Sequence, residues 1–185
     1  IDVRDAGIME TDNGTLLATT FTSAAYFDRL KQEMENARQK KSGAWPEEHL
    51  ARWRAAHERL SDEQREKLLG AWMIRSTDGG LTWSAPYDCL VDSPHGPIQL
   101  ADGRLLYAGK EIGRGNDRVG ACQSADDGRT WTWLTEIPPR PGDDAKKDYH
   151  ELHAVEAADG RIIAHIRNHN QRNQHETLQT ESSDG

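Results

Sequence analysis

An eight-residue phrase, Ser-x-Asp-x-Gly-x-Thr-Trp, stands twice in this chain, as STDGGLTW at Ser76–Trp83 and SADDGRTW at Ser124–Trp131, and its opening returns as SSDG at Ser182–Gly185. Nothing else in the sequence constrains the fold as tightly, because a self-similar unit decides architecture before local propensity does. A second phrase keeps step with the first. IMETDNGTLLATT (Ile8–Thr20), PIQLADGRLLYAG (Pro97–Gly109) and AVEAADGRIIAHI (Ala154–Ile166) each place an apolar run, an Asx-Gly pair and another apolar run in one order. An Asx-Gly pair between such runs predicts a hairpin whose two central turn residues take positive φ. Each unit is therefore an inner hairpin followed by the Asp phrase.

The spacing locates an interruption. Gly103 to Gly160 is 57 residues and Asp126 to Asp184 is 58, but Gly14 to Gly103 is 89 while Asp78 to Asp126 is only 48. An extra segment of roughly 40 residues thus sits between the first hairpin and its Asp phrase. Between about residues 26 and 70 the apolar spacing turns helical, with Phe27, Leu30, Met34 and Ala37, then Leu50, Trp53, His57 and Leu60. Pro46 is expected at a first helical position, and Ser61–Gln64 predicts a capping box. The segment reads as a helical insertion.

Composition narrows the function classes. The formal net charge is −8, and residues 26–70 hold ten Lys and Arg against nine Asp and Glu, so the acidic excess lies in the rest of the chain. Without a clustered basic face, nucleic acid is not an expected partner. No apolar run of about 18 residues predicts a membrane span. Cys89 and Cys122 lack a disulfide framework or metal spacing and are expected as buried thiols. His49 and His57 are not four apart, and His150-x-x-His153 has no carboxylate at a set offset, so neither metal nor cofactor is expected. Ile1 is not a start residue and Gly185 falls inside a phrase, so both ends are expected to be cut.

Units of about 50 residues, each with several short strands and one recurring turn, predict the radially arranged blades of an all-β propeller. The Asp phrase serves as a turn lock: its Asp accepts from its own loop, its Gly supplies an unusual backbone angle, and its Trp packs into the blade. The phrase resembles the Asp-box, or bacterial neuraminidase repeat, of sialidases and related propellers. That resemblance implies a sialidase-like β-propeller of six blades when intact, about three of them in residues 1–185, with the α-helical insertion in the first. In the family the repeat lies away from the active site.

The starts of the innermost strands converge in such a fold, so positions were compared from the turn glycines. The segment VRDAGIMETDNGTLLA resembles the family's first-blade Arg-Ile-Pro segment, with Asp5-Ala6 in place of Ile-Pro; the resemblance makes Arg4 a binder of the substrate carboxylate. The segment ELHAVEAADGRIIAHIRN resembles the one in which a Glu opens an inner strand and an Arg closes its partner. Glu151 would then activate a Tyr nucleophile, and Arg167 would be a second clamp arginine. The family's acid Asp lies after the first hairpin, and Asp28 is nearest by distance from Arg4. The third arginine and the Tyr are expected beyond Gly185, which would leave this stretch inactive alone. A guanidinium fork suits a sugar carboxylate in a way that a Lys does not.

Other readings stay open. Glu151 and Arg167 also fit a structural ion pair, Arg4 fits an ordinary charge at a strand start, and Arg104 and Arg161 are expected in solvent. His95, His150, His153 and His169 flank the same strand ends, and His95 and His150 are assigned to substrate binding. Some related propellers are lyases on uronic-acid glycans, roles that Tyr149, His150 and Arg167 could fill. A non-catalytic carbohydrate-binding propeller is the third class. The resemblance implies a glycan or glycoconjugate partner and a secreted or periplasmic location. Asn13-Gly14-Thr15 is a formal sequon at a turn and carries no weight.

Overall fold

The computed structural model describes residues 2–112, 117–173 and 176–183. Eleven strands form three antiparallel sheets among these residues, each a simple meander. The first sheet runs β1 (Asp2–Glu10), β2 (Leu16–Ser23), β3 (Gly70–Ser76), β4 (Tyr87–Asp88); the second runs β5 (Ile98–Gln99), β6 (Leu105–Lys110), β7 (Val119–Ser124), β8 (Thr132–Glu136). The third holds β9 (Tyr149–Glu156), β10 (Ile162–Asn168) and β11 (Thr177–Ser182). These are three blades of a sialidase-like β-propeller fold, each opening with one of the three expected hairpins.

The hairpin turns differ from expectation. In the first, Thr11 and Thr15 close a three-residue loop through Thr11 N–H to Thr15 O at 2.8 Å, and Gly14 N–H donates to Thr11 O at 2.8 Å. Gly14 alone takes positive φ, 74°, so this is a turn followed by a left-handed glycine and not a two-residue loop with both φ positive. Gly103 and Gly160 repeat the pattern. The longer loop frees one backbone N–H per turn, and the next blade uses it. Asp12 N–H donates to Gln99 Oε1 at 2.7 Å, and Ala101 N–H donates to Glu156 Oε2 at 2.6 Å. Gln99 and Glu156 each stand four residues before their own turn glycine.

Two apolar layers hold the blades together. Leu17, Met73, Cys89, Val91, Leu105, Tyr107, Cys122 and Trp131 pack between the first and second sheets. Leu106, Ala108, Ala121, Leu152, Ala154, Ala164 and Ile166 pack between the second and third. Alternation assigns one face of each strand to such a layer: Leu152 and Ala154 are buried while His153 and Val155 are exposed. Both cysteines are buried free thiols, as expected.

Both complete Asp phrases lock their own loops. Asp78 Oδ1 accepts from Ser76 Oγ at 2.8 Å and Thr82 N–H at 2.9 Å, and Oδ2 accepts from Thr82 Oγ1 at 2.5 Å. Asp126 makes the same set with Ser124 and Thr130 at 2.8, 2.9 and 2.6 Å. The tryptophans part company: Trp131 is buried, whereas Trp83 is 38 % exposed, against the expectation that both pack into a blade. The third phrase falls on Asp184 and Gly185, outside the described residues. Arg104 and Arg161 are less free than expected, each pairing with its own turn carboxylate and with Gln123 or Glu181 of a neighbouring strand.

Residues 22–69, with 1–3, form a separate unit of three helices, α1 (Tyr26–Arg38), α2 (Glu47–Glu58) and α3 (Asp62–Leu68). The predicted capping box is present, with Ser61 and Gln64 reciprocally bonded. Pro46 is the N-cap of α2, one residue ahead of the expected position. The buried face of α1 is Tyr26, Leu30 and Glu33, and Met34 is exposed. The stripe slips by one because Glu33 is satisfied in place: Arg29 pairs with it at 2.6 Å and Trp45 N–H donates to it at 3.4 Å. Phe27 stacks on His57 at 4.2 Å, and Tyr26 Oη meets His57 Nδ1 at 2.9 Å.

Candidate functional site

Inner strands begin on one rim of the propeller unit, and the chain makes that rim rigid. The segment from Asp92 to Gly96 leads into β5. Asp92 and Lys110 exchange two backbone hydrogen bonds at 2.9 Å, and a Cβ on Gly109 would lie 2.6 Å from Asp92 O. Tyr107 Oη accepts from Ser93 N–H at 2.9 Å and donates to Ser93 O at 2.8 Å. Ser93 Oγ donates to Leu152 O of β9, tying the second blade to the third. Toward the first blade, a Cβ on Gly7 would stand 2.5 Å from Gly96 N, so glycine is required where β1 meets this segment.

Glu151 and Arg167 come together on β9 and β10. Arg167 Nη1 donates to Glu151 Oε1 at 2.6 Å. Glu151 is the extra residue of a β-bulge, since His150 stands opposite Arg167 and Leu152 opposite Ile166. A bulge re-aims one side chain, and here it places the carboxylate on the arginine. The Arg167 hydrogen bond holds the Glu151 carboxyl below its usual range, with the fields of His95 and His169 adding to it.

The histidines gather around this pair. His150 stacks on His169 with centroids 4.2 Å apart, and His95 lies 5.2 Å from His153. Burial pushes the His150 imidazolium toward deprotonation, helped by the charges of Lys110, His169 and Arg167. His153 shifts the same way, through burial and then His95 and His165. His150 Nε2 is 2.9 Å from the carbonyl of Lys147, at the end of the short helix α4 (Ala145–Asp148). Among the described residues no group of three or more His, Cys, Asp or Glu is arranged to hold a metal ion.

The remaining predicted residues are placed as follows. Arg4 lies exposed on β1, its carbonyl accepting from Thr20 Oγ1 at 2.6 Å, three residues before the Gly7 contact. Asp28 lies in the first turn of α1, in the helical unit, with Lys31 4.0 Å away. A carboxylate there complements the helix N-terminus. Tyr149 is spoken for: its buried hydroxyl accepts from Arg140 N–H at 2.9 Å and donates to Asp143 Oδ2 at 3.1 Å. Asp92 and Lys110 were missed by the sequence reading, although Asp92 stands three residues before His95 in DSPH. A lone Asp ending the apolar run CLV was the available signal.

Comparisons with known proteins agree with this architecture. A protein of unknown function from Dyadobacter fermentans matches with TM-score 0.61 and 17% identity, over 100% of this chain and 48% of that one. A Hadza microbial sialidase matches with TM-score 0.56 and 17% identity, over 98% and 31%. The alpha-L-arabinofuranosidase of Fusarium graminearum, solved with arabinobiose, matches with TM-score 0.55 and 15% identity, over 97% and 44%. The chain therefore spans less than half the length of these structures, and at such identities the likeness establishes the fold. No curated protein matches the sequence. A family model, described as a BNR repeat-like domain, matches residues 28–185, and the chain belongs to that family.

Proposed function

We propose that the intact protein is a glycosidase acting on a terminal acidic sugar, with sialic acid the first candidate. The Glu151–Arg167 pair at the start of the third blade carries this reading. Among the described residues, Glu151 is the acceptor that Arg167 uses, through Nη1 alone, so Nε and Nη2 remain to grip a ligand carboxylate. Arg4, at the start of the first blade, supplies a second guanidinium. His95 and His150 supply hydrogen-bonding groups beside the anion. Glu151, kept ionised by Arg167, suits a base that draws the proton from a nucleophile; in the sialidase resemblance that nucleophile is a Tyr outside this stretch. The resemblance gives the role of acid to Asp28, which lies in the separate helical unit. Two named glycosidases among the structures of similar fold support the class.

The test is hydrolysis of a fluorogenic sialoside by the full-length protein. Glu151→Gln should lower kcat by about 10²–10⁴-fold with KM little changed, as expected for loss of acid–base help. Arg167→Lys should raise KM, because an ammonium lacks the paired geometry. An uncatalysed sialoside, together with rising absorbance from an unsaturated uronate product, would replace this reading with the lyase. The engagement of the Tyr149 hydroxyl counts against that alternative.

A further inference from the structure

Asp92 is a rim residue whose side chain is buried and leaves one oxygen unsatisfied. It is 4 % exposed, and its Oδ1 has no hydrogen-bond partner among the described residues. A bare carboxylate oxygen so placed is costly, and native proteins keep such groups where they serve a purpose. Its backbone is fixed by Lys110, and the next residue, Ser93, is held by Tyr107 and reaches across to Leu152. The backbone around Asp92 is therefore fixed while its Oδ1 is left without a partner among the described residues.

A second carboxylate, Asp5 of β1 in the neighbouring blade, is near enough for its charge to act on Asp92. Asp5 on β1 is exposed, and its backbone takes the left-handed conformation with φ 50°. Strain of that kind in a non-glycine residue gathers at functional sites. We propose that Asp92, with Asp5 beside it, is the proton-holding acid of this rim, a role that the Glu151–Arg167 pair does not fill. The proposal rests on the glycosidase reading. In hydrolysis the Asp92 proton passes to the departing glycosidic oxygen as its bond to carbon breaks. The resulting carboxylate then takes a proton from the attacking water, restoring the acid.

The surroundings favour that protonation. Burial first, and the charge of Asp5 second, push the Asp92 carboxyl from 3.8 up to about 7. The other titratable groups around it are Tyr107 of β6 and Cys89, with Cys122 of β7 beside Cys89 and Lys110 of β6 paired to the Asp92 backbone. The phenol and both thiols are driven upward by burial and stay neutral. The Lys110 ammonium is directed away, donating to the carbonyl of Lys146. No ion pair described here opposes the proton.

The experiment uses the full-length protein with ¹³Cγ-labelled aspartate. One carboxyl resonance should titrate near pH 7, disappear in Asp92→Asn and move to lower pH in Asp5→Asn, an exposed change that leaves the packing intact. This readout needs no substrate, so it stands even if the glycosidase reading fails, whereas Glu151→Gln would slow hydrolysis and leave the titration in place. In turnover, Asp92→Asn should cut kcat on a glycoside with a poor leaving group by about 10²-fold or more, and far less on an activated aryl glycoside. An Asp92 resonance titrating in the ordinary carboxylate range would overturn the proposal. So would a folded Asp92→Asn protein losing equal activity on both substrates, or an Asp5→Asn protein whose titration does not move.

Discussion

The two complete Asp phrases make the same hydrogen bonds and live in different surroundings. Ser76–Trp83 lies open: Leu81 is 85 % exposed, and Trp83 spends its indole N–H on Gly80 O, 3.1 Å away within its own loop. Ser124–Trp131 is wedged between the first and second blades. Tyr87 Oη donates to Gly128 O at 2.6 Å, and Trp131 packs in the interblade core beside Tyr107. Asp127 accepts from Thr11 Oγ1 at 2.8 Å and Thr15 Oγ1 at 2.6 Å and pairs with Arg75. The position equivalent to Asp127 is Gly79, and both take positive φ, 60° and 71°. The phrase is thus a local lock that folds identically in either setting. What the second phrase adds to the neighbouring blade comes from the unspecified Asp127 together with Gly128 and Trp131, whose counterparts in the first phrase lie open.

Trp131→Ala against Trp83→Ala tests this contrast most strongly. Removing the buried ring should destabilise by about 3–5 kcal/mol, and removing the exposed one by about 1 kcal/mol or less; urea unfolding of both variants checks it. Equal losses would mean that the first phrase is also packed in solution. Gly128→Ala against Gly80→Ala comes next. Each glycine has positive φ, but a Cβ at residue 128 would meet Leu17 Cδ1 at 2.7 Å, whereas at residue 80 its nearest neighbour is Leu16 Cδ1 at 3.5 Å. The first change should cost about 2–3 kcal/mol and the second about 1 kcal/mol, from strain alone.

The third contrast, Asp127→Asn against the parent, carries a pH signature. Burial resists ionisation of Asp127, but hydrogen bonds from Thr15, Thr11, Arg75 and Asn13 outweigh it and hold the carboxyl at about 2, below its usual 3.8. A depressed native pKa gives stability that is present above about pH 4 and is lost as pH falls toward 2. The variant should lie about 1–2 kcal/mol below the parent at pH 7, after allowance for screening, and meet it near pH 2. A gap that persists at pH 2 would assign the effect to packing and not to charge.

Local signals were legible in the sequence wherever the cause was local. The hairpins, the loop locks and the Ser61 cap all follow from residues within a few positions of one another. The pairing of Glu151 with Arg167 was half legible, because equal offsets from a turn bring two strands level, but the bulge that aims Glu151 is invisible in composition. Burial of Trp131 but not Trp83 could not be read from identical phrases, since it depends on which blade lies against each. Asp92 was passed over for a related reason: its orphaned oxygen exists only once Lys110, Tyr107 and Leu152 have fixed the segment around it.

The turn clasps between blades have a direction. In both, the amide belongs to the earlier turn and the accepting side chain to the later blade, Gln99 reaching back to Asp12 and Glu156 to Ala101. Asp127 grips the first hairpin in the same sense. A chain emerging from its N-terminus therefore lays each new blade onto a latch already complete. Glu10, four residues before Gly14, holds the matching station on the first blade.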